Sequence, residues 1–232
     1  MNMQSLCEAA ERLGYKPRVS SYAQAGTASF LIAEDQEQKR LLIAGEAPSG
    51  FQGKEESFDN KQILCCPLTH ENAGTIQRVF PWLQPISARR KEASFGTGDR
   101  LGLVTGAHIA AFNGTGVFPI LAQQSKRELT LTGRTNRTMI EDVMWQVFEN
   151  GYRGGYGADG DHLKTLEDIT AALKRIFPPR WPMEAVLSPW TAPTISRVGS
   201  DQLLRSLTRW KRATAARNSA LAACSCTFRE MC

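Results

Sequence analysis

The segment GADGDHLKT, residues 157–165, brings together Asp159, Asp161 and His162, one of only three histidines in the chain. It directly follows the glycine-rich GYRGGYG. A carboxylate can act as a general base, and a neutral imidazole is a common ligand of divalent metals. The segment therefore predicts either a site, in which Asp161 is the base and His162 the ligand, or a surface turn in which the histidine is incidental. The pattern alone is weak, because a metal site needs about three protein ligands.

Two further segments place polar residues beside an apolar run. In FGTGDRLGL the glycine-flanked Asp99 and Arg100 could bind a ligand, because the backbone can be approached closely and a guanidinium binds anions. The alternative is a salt-bridged turn. In AQQSKRELTLTGR the amides of Gln123 and Gln124 follow an apolar run and could bind sugar hydroxyls. The alternative there is ordinary helix capping by Ser125 beside a solvated charged face.

Short apolar runs alternate with helical stretches along the first 173 residues. The patterns predict a β-hairpin (27–33 and 39–45), strands (61–68, 100–106, 117–124 and a strand end within 155–164) and helices (an amphipathic N-terminal helix, 70–83, 107–114, 134–151 and 165–176). Pro81 should end or kink the second helix. Asn72 is a possible cap of that helix, Thr135 or Thr138 should cap the fourth, and Gly151 should end it.

This alternation predicts an α/β fold with parallel strands: part of a TIM-barrel-like (β/α) fold, entered through an N-terminal β-hairpin region and apparently truncated. In such folds the polar residues at the carboxyl ends of strands are the site candidates. No G-x-G-x-x-G stands between a strand and a helix, so a dinucleotide-binding fold is not predicted.

Composition is that of a globular protein with no membrane-spanning segment. The chain has 232 residues, 42% hydrophobic and 22% charged, and no apolar run approaches the ~20 residues that cross a bilayer. No secretory signal is recognisable, so a cytoplasmic location is expected. The six cysteines lack the histidines and spacing of a zinc site, and the adjacent Cys65 and Cys66 are expected to be buried.

A change in composition near residue 174 predicts a boundary. Residues 174–232 hold ten Lys and Arg against three Asp and Glu, whereas the whole chain carries a net charge of only +5. This tail is rich in Pro, Arg and Ser and holds one of the nineteen glycines. It is interpreted either as a basic arm for oligomerisation or nucleic acid, or as a disordered or frame-shifted segment not selected to fold with residues 1–173.

Four ordered blocks of the sequence resemble the tagaturonate epimerase family of bacterial hexuronate catabolism. They are CPLTHENAGTIQRVFPWLQP (66–85), SFGTGDRLGLVTGAHIAA (94–111), AQQSKRELTLTGRT (122–135) and VFENGYRGGYGADGDHLKTLEDI (147–169). The resemblance implies a TIM-barrel-like enzyme that uses a divalent metal, of open identity, to interconvert the sugar acids tagaturonate and fructuronate, which differ at C4.

The resemblance also implies roles for individual residues. Asp161 would be the proton acceptor and His162 a metal ligand, while Asp99, Arg100, Gln123, Gln124 and Lys164 would bind substrate, with Arg100 or Lys164 meeting its carboxylate. Since C4 is not adjacent to the C2 ketone, enolisation cannot invert it. Cleavage of the C3–C4 bond in a retro-aldol step, rotation of the aldehyde and re-addition would do so.

The chain departs from the family in length. Family members are about twice as long, and their second half supplies further histidines and the partner acid, whereas no histidine follows His162 here. A truncated, poorly stable and inactive product is therefore expected. The alternatives are another metal-dependent sugar isomerase or aldolase on the same fold, and a non-catalytic fragment with a nucleic-acid-binding tail; the tail lacks a recognisable DNA-reading motif, which disfavours the last.

Overall fold

The computed structural model of the protein describes residues 1–88 and 91–161, the last two of these by their backbone alone. The elements follow in the order α1 (Met3–Arg12), β1 (Lys16–Ala25), β2 (Ala28–Glu34), β3 (Lys39–Ala44), β4 (Lys54–Phe58), β5 (Lys61–Pro67), α2 (His70–Val79), a 3₁₀ turn (Pro81–Leu83), β6 (Ser94–Gly98), α3 (Thr105–Phe112), β7 (Phe118–Ser125), α4 (Lys126–Thr132), α5 (Asn136–Glu149) and β8 (Gly157–Asp161). They divide between two compact units, the first of which comprises Met1–Gln84 and Glu141–Gly155.

The first unit is built on a five-stranded antiparallel sheet with the strand order β1-β2-β3-β5-β4. Helix α1 covers one face, where Leu6, Ala9 and Ala10 are fully buried in a cluster with Leu31 and Leu42. The period-two alternation of β2 turns its neighbouring residues to the opposite face. The apolar spacing of α1 and the predicted hairpin of β2 and β3 are both confirmed.

Aromatic rings fill the opposite side of β2. The ring of Phe30 meets that of Phe80 edge to face at 5.1 Å, and Phe80 lies 5.8 Å from Phe148 of α5. Trp82 stacks on Phe148 with an interplanar angle of 12°. Each large buried side chain of this kind contributes about 1.5–3 kcal/mol, so this aromatic group ties the second segment of the unit, 141–155, to the first.

The direction of strand β5 differs from the expected topology. The apolar run at 61–68 was predicted to be a strand of the parallel (β/α) series, but β5 is antiparallel to both β3 and β4. The physical reason is the two-residue turn at Asp59 and Asn60, which have φ of 44° and 61°. Positive φ at both central residues belongs to a tight hairpin turn, which joins antiparallel neighbours. Strands β1 and β4 were not predicted.

The ends of α2 agree in part with the sequence. Pro81 does follow its end, since α2 stops at Val79 and the 3₁₀ turn begins at the proline. The cap is Thr69 rather than the expected Asn72. The Asn72 amide is instead fully buried, where it donates to the carbonyls of Gln52 and Pro67 and accepts from the Gln52 N–H.

The described part of the second unit holds a three-stranded parallel sheet with the order β6-β7-β8. Helix α3 connects β6 to β7, and α4 and α5 connect β7 to β8. The strand predicted at 100–106 is wrong: the strand is β6, six residues earlier, and residues 99–104 form a loop. The fold is thus mixed α/β. In the ranges that the structure describes the barrel is not closed, and the five-stranded sheet is antiparallel.

Helix α5 begins and ends where its sequence indicates. The Thr138 N–H donates to the Thr135 hydroxyl at 3.1 Å, and the Thr135 N–H donates to Thr138 Oγ1 at 2.8 Å, a reciprocal cap. At the other end Gly151 adopts φ of 60° and donates to the Phe148 carbonyl. Within the described ranges, the helices are too short or too polar to span a bilayer. The predicted helix 165–176 and the boundary near residue 174 lie outside the described residues.

Candidate active site

Because β6, β7 and β8 are parallel, their carboxyl ends lie side by side at the same end of the sheet. Gly98 pairs with Gln123, Gln123 with Asp159, and Ser125 with Asp161. The Asp99 and Arg100 segment follows β6 directly. The three segments chosen from the sequence therefore do meet at one edge, which is where open α/β sheets place their ligands.

Asp99 holds the loop after β6. Its carboxylate is 7% exposed and accepts hydrogen bonds from the N–H groups of Gly102 (2.8 Å), Leu103 (3.2 Å) and Val104 (2.8 Å). Burial by itself would raise the pKa of Asp99, but these backbone donors outweigh it and hold the pKa below its ordinary value. Both oxygens are thus occupied by the backbone, and Asp99 shapes the loop instead of offering a carboxylate to a substrate.

The alternative of a salt-bridged turn requires an ion pair between Asp99 and Arg100, and Arg100 does not form it. Its Nε lies 2.5 Å from Glu128 Oε1 on α4, and its side chain is 76% exposed. Burial acts to raise the pKa of Glu128, but the Ser125 N–H and the Arg100 guanidinium lower it overall. An ion pair this exposed contributes little to stability, so Arg100 can exchange Glu128 for the carboxylate of a ligand.

Gln124 is buried, and both the nitrogen and the oxygen of its amide have hydrogen-bond partners. Its Nε2 donates to the Arg100 carbonyl at 2.8 Å, and its Oε1 accepts from Arg134 Nη1 at 3.0 Å. The same nitrogen of Arg134 donates to the carbonyls of Asp99 and Arg100. Gln124 therefore fixes the loop after β6 in place. Sequence reasoning missed Arg134, because backbone carbonyls leave no trace in the residue pattern.

The capping alternative for Ser125 is confirmed. Its hydroxyl accepts from the Glu128 N–H, and the Glu128 carboxylate accepts from the Ser125 N–H, a complete capping box at the start of α4. Of the three polar residues that end β7, Gln124 and Ser125 are engaged within the fold, which leaves Gln123 as the candidate for a ligand.

Gln123 links all three strands on the other face of the sheet. Its Nε2 donates to Asp159 Oδ2 at 3.2 Å, and Asp159 is 3% exposed. On its far side the amide lies over Gly96, where an added Cβ would stand 2.2 Å from Gln123 Oε1. We call Gly96, Gln123 and Asp159 the cross-strand row. The sequence predicts no separate role for Asp159, although the period-two spacing of Asp159 and Asp161 on one strand indicates that both lie on the same face.

The other predicted residues of this segment stay predictions. The backbone of Asp161 ends β8 opposite Ser125, while His162 and Lys164 lie outside the described residues. Among the side chains that the structure describes, residues 1–88 and 91–159, no group of three from His, Cys, Asp or Glu is placed to hold a metal ion. Asp159 is the one buried carboxylate of β8 whose side chain the structure describes at these strand ends, so a metal bound here needs further ligands.

Enzymes that act on small molecules are often α/β proteins in which polar side chains gather at the carboxyl ends of parallel strands. Residues 18–178 match the family model of tagaturonate epimerase, and the chain belongs to that family.

The relatives agree with this assignment. The tagaturonate/fructuronate epimerase of Thermotoga maritima is 43% identical over 166 residues, which are 71% of this chain and 34% of that protein. The crystal structure of the fructuronate-tagaturonate epimerase of Cohnella laeviribosi is similar with a TM-score of 0.67 and 35% identity, covering 75% of this chain and 35% of that one. A glycerol complex of the same protein gives 0.67 and 30% identity over 92% and 44%. The chain thus spans about a third of the length of the Thermotoga relative.

Proposed function

We propose that this chain supplies one wall of the active site of a tagaturonate/fructuronate epimerase, with its three parallel strands as consecutive strands of a TIM-barrel-like fold. The observation that supports the proposal is the strand register, in which Gly98 pairs with Gln123 and Gln123 with Asp159, within the region matched by the family. Consecutive parallel strands joined by helices are the repeating unit of such a barrel. The antiparallel five-stranded sheet is an addition before the first barrel strand.

The reaction must invert C4 without enolising there. Asp161 would accept the proton of the C4 hydroxyl. The C4 oxygen then forms an aldehyde as the C3–C4 bond breaks, and the bonding pair moves into an enediolate at C2 and C3. After the aldehyde rotates, C3 adds to its other face, and an acid on the opposite side protonates the new C4 alkoxide. The sum is an epimerisation with no net oxidation or reduction.

The remaining residues would bind and orient the substrate. Arg100, with its exposed guanidinium, or Lys164 would meet the sugar carboxylate, since a planar guanidinium binds a carboxylate through two parallel hydrogen bonds. Gln123 would meet a hydroxyl from its place in the cross-strand row. Asp99 and Gln124 act on the substrate only through the shape of the loop that carries Arg100. A divalent cation held by His162 would supply Lewis-acid activation of the C2 carbonyl when bound.

Turnover is tested by combining the full chain with the part of the Thermotoga maritima epimerase that follows the aligned region. Fructuronate is added with Mn²⁺, Ni²⁺, Zn²⁺ or Fe²⁺, and conversion is followed by NMR of the sugar. The chain alone should not turn over, and the pair should. Asp161→Asn should lower the rate by roughly 10²–10⁴-fold, the usual contribution of a general base. A rate unchanged by Asp161→Asn would contradict the assignment.

The metal role of His162 has a separate test that needs no turnover. Calorimetric titration of the chain with Zn²⁺ or Ni²⁺ should show weaker binding after His162→Ala. The matched control is His108→Ala, which removes a half-buried histidine of α3 that the proposal does not use. Equal effects of the two substitutions would remove His162 from the ligand set.

A further inference from the structure

An arginine side chain lies over the aromatic group of the first unit. The Cζ atom of Arg153 is 3.3 Å from the centre of the Trp82 ring. Trp82 stacks in turn on Phe148, which is fully buried beside Phe80. The face of an indole ring attracts a cation, and the attraction is strongest where water is excluded. The guanidinium is therefore held by rings that belong to the packed core of this unit.

The loop that carries Arg153 is fixed to the five-stranded sheet and to α5. Gly151 packs so closely against β1 that an added Cβ would stand 2.3 Å from the Ser20 carbonyl oxygen. The Tyr152 N–H donates to the Val147 carbonyl at 3.0 Å, which closes the end of α5. Arg153 comes directly after these contacts, so its position is set before any ligand binds, and less entropy is lost on binding.

The guanidinium of Arg153 has no acceptor within the described part of the chain. Among the residues that the structure describes, no carboxylate lies within ion-pair distance of it, and its N–H groups have no hydrogen-bond partner. Arg18 and Arg100, in contrast, each pair with a glutamate. A guanidinium presents five N–H donors and keeps its charge in proteins. Arg153 therefore offers a fixed positive charge whose donors are available to an external anion.

Part of the hydration of Arg153 is already lost. Burial lowers the pKa of its guanidinium, because removal of water disfavours the charged form. A cation that has lost water without gaining an acceptor is stabilised more by an incoming anion than a fully hydrated cation is. Arg12 is the comparison within the same unit: it also lies over an aromatic ring, that of Phe58, but at the longer distance of 5.4 Å.

We propose that Arg153, held on Trp82, is a binding site for an oxyanion, namely the carboxylate or phosphate group of a small metabolite. The planar guanidinium matches both groups, because each of them accepts two parallel hydrogen bonds. Arg153 precedes β8 in the chain, whereas the residues of the candidate active site lie at the carboxyl ends of the strands. The inference does not rest on the proposed epimerase reaction and gives the chain a second ligand.

Binding is measured on the full chain by NMR, with nitrogen isotope labelling, in separate titrations with inorganic phosphate and with acetate. The Nε–H resonance of Arg153 and the indole N–H resonance of Trp82 report on the site, and each is assigned by its loss in Arg153→Lys or Trp82→Phe. Sodium chloride at the same ionic strength is the reference, since salt alone changes the field near a charge. We expect a saturable shift with at least one of the two oxyanions and none with chloride. A stronger response to phosphate indicates a phosphorylated metabolite, and a stronger response to acetate indicates a carboxylic acid.

Substitutions distinguish this site from a general effect of positive charge. Arg153→Ala should abolish the saturable shift at Trp82, and Arg153→Lys should weaken binding about tenfold, because an ammonium keeps the charge but not the planar pair of donors. The matched control is Arg12→Ala, which removes the cation over Phe58 and should leave the affinity unchanged. Both arginines are exposed, so the melting temperatures of the variants should stay close to that of the wild type.

Three results would overturn the proposal. They are a saturable response to neither oxyanion, an equal loss of affinity in Arg12→Ala and Arg153→Ala, and full affinity in Arg153→Lys, which would exclude recognition by the guanidinium. If Arg153→Ala lowers the melting temperature markedly, Arg153→Lys decides the question, because it keeps a cation over the ring. Oxyanion binding without epimerase turnover supports this site while counting against the proposed reaction.

Discussion

Gln123 and Asp159 are joined side chain to side chain across neighbouring parallel strands, with Nε2 and Oδ2 3.2 Å apart, and Gln123 is held in that place by the bare backbone of Gly96. Only glycine leaves room for the amide, because a Cβ at residue 96 would stand 2.2 Å from Oε1. The orientation of a candidate substrate-binding amide is therefore set from two sides, by a carboxylate on one strand and a missing side chain on the other.

Gly96→Ala should break the hydrogen bond between Gln123 and Asp159. The amide is the end of a flexible side chain and can swing away, so the loss of unfolding free energy should be modest, about 0.5–1.5 kcal/mol. Denaturant unfolding measures it. In a Gln123→Ala background the same substitution should cost much less, since nothing remains to be displaced. The control is Gly98→Ala, where an added Cβ meets nothing within 4 Å; a loss as large as that of Gly96→Ala would show that only strand propensity is involved.

Gly151→Ala should destabilise the chain more than Gly133→Ala. Both glycines end a helix with nearly the same φ, 60° and 66°, so the conformational strain on alanine is matched at about 1 kcal/mol. The two positions differ in the room available for a Cβ. At Gly151 it would stand 2.3 Å from the Ser20 carbonyl oxygen, whereas at Gly133 no atom lies within 4 Å of it. The clash is with backbone and should add about 1–3 kcal/mol. Comparable melting temperatures for the two variants would contradict this packing.

Asp99→Asn should lower stability by about 1–3 kcal/mol near neutral pH, because an amide cannot accept from all three backbone donors. The folded-state pKa of Asp99 lies below its ordinary value, so its contribution is fully present above about pH 4 and is lost as the pH falls through the folded pKa. Urea unfolding of both proteins from pH 7 downward should therefore show the gap closing in acid. The exposed Glu92 supplies the control substitution Glu92→Gln, and a gap that stays constant with pH would exclude the carboxylate as its source.

Cys65 and Cys66 should resist alkylation in the folded chain. Burial, with a smaller contribution from Cys65, raises the pKa of Cys66 to about 12, and burial also raises that of Cys65. At pH 8 the thiolate fraction of Cys66 is then on the order of 10⁻⁴, and the thiolate is the reactive form. Mass spectrometry after brief treatment with iodoacetamide should find both unmodified, and both modified after unfolding in urea. Fast labelling of Cys66 in the folded protein would show that this part of the sheet opens readily.

Sequence reasoning succeeded where local signals agree. Helix α5 has a threonine cap and a terminal glycine, and both act as predicted at Thr135 and Gly151. It failed where a strand has weak propensity. Strand β6 holds two glycines in five residues and β4 three charges in five, so neither sequence is typical of a strand, whereas the apolar sequence of the loop after β6 is.

The candidate site shows the same division. Parallel pairing could be inferred, and with it the meeting of three polar segments at one edge. The sequence could not show which polar residues stabilise the fold and which remain available to a ligand. Asp99 and Gln124 hydrogen-bond to backbone groups, and Gln124 also accepts from Arg134. Every residue carries the same backbone donors and acceptors, so such bonds depend on the folded path of the chain and have no signature in residue type.

The anchoring of the loop 99–104 by Asp99 separates the shape of the loop from the identity of its outward side chains. The carboxylate accepts from the main-chain N–H groups of residues 102–104 and from the Thr105 hydroxyl at 3.5 Å. None of these bonds involves the side chains at positions 101, 103 and 104, so those side chains can be exchanged without altering the path of the backbone. Such a loop can diversify in evolution while its scaffold stays constant. A combinatorial library at these three positions with Asp99 retained would consequently vary surface chemistry on a single backbone, whereas the same library without Asp99 would vary conformation as well.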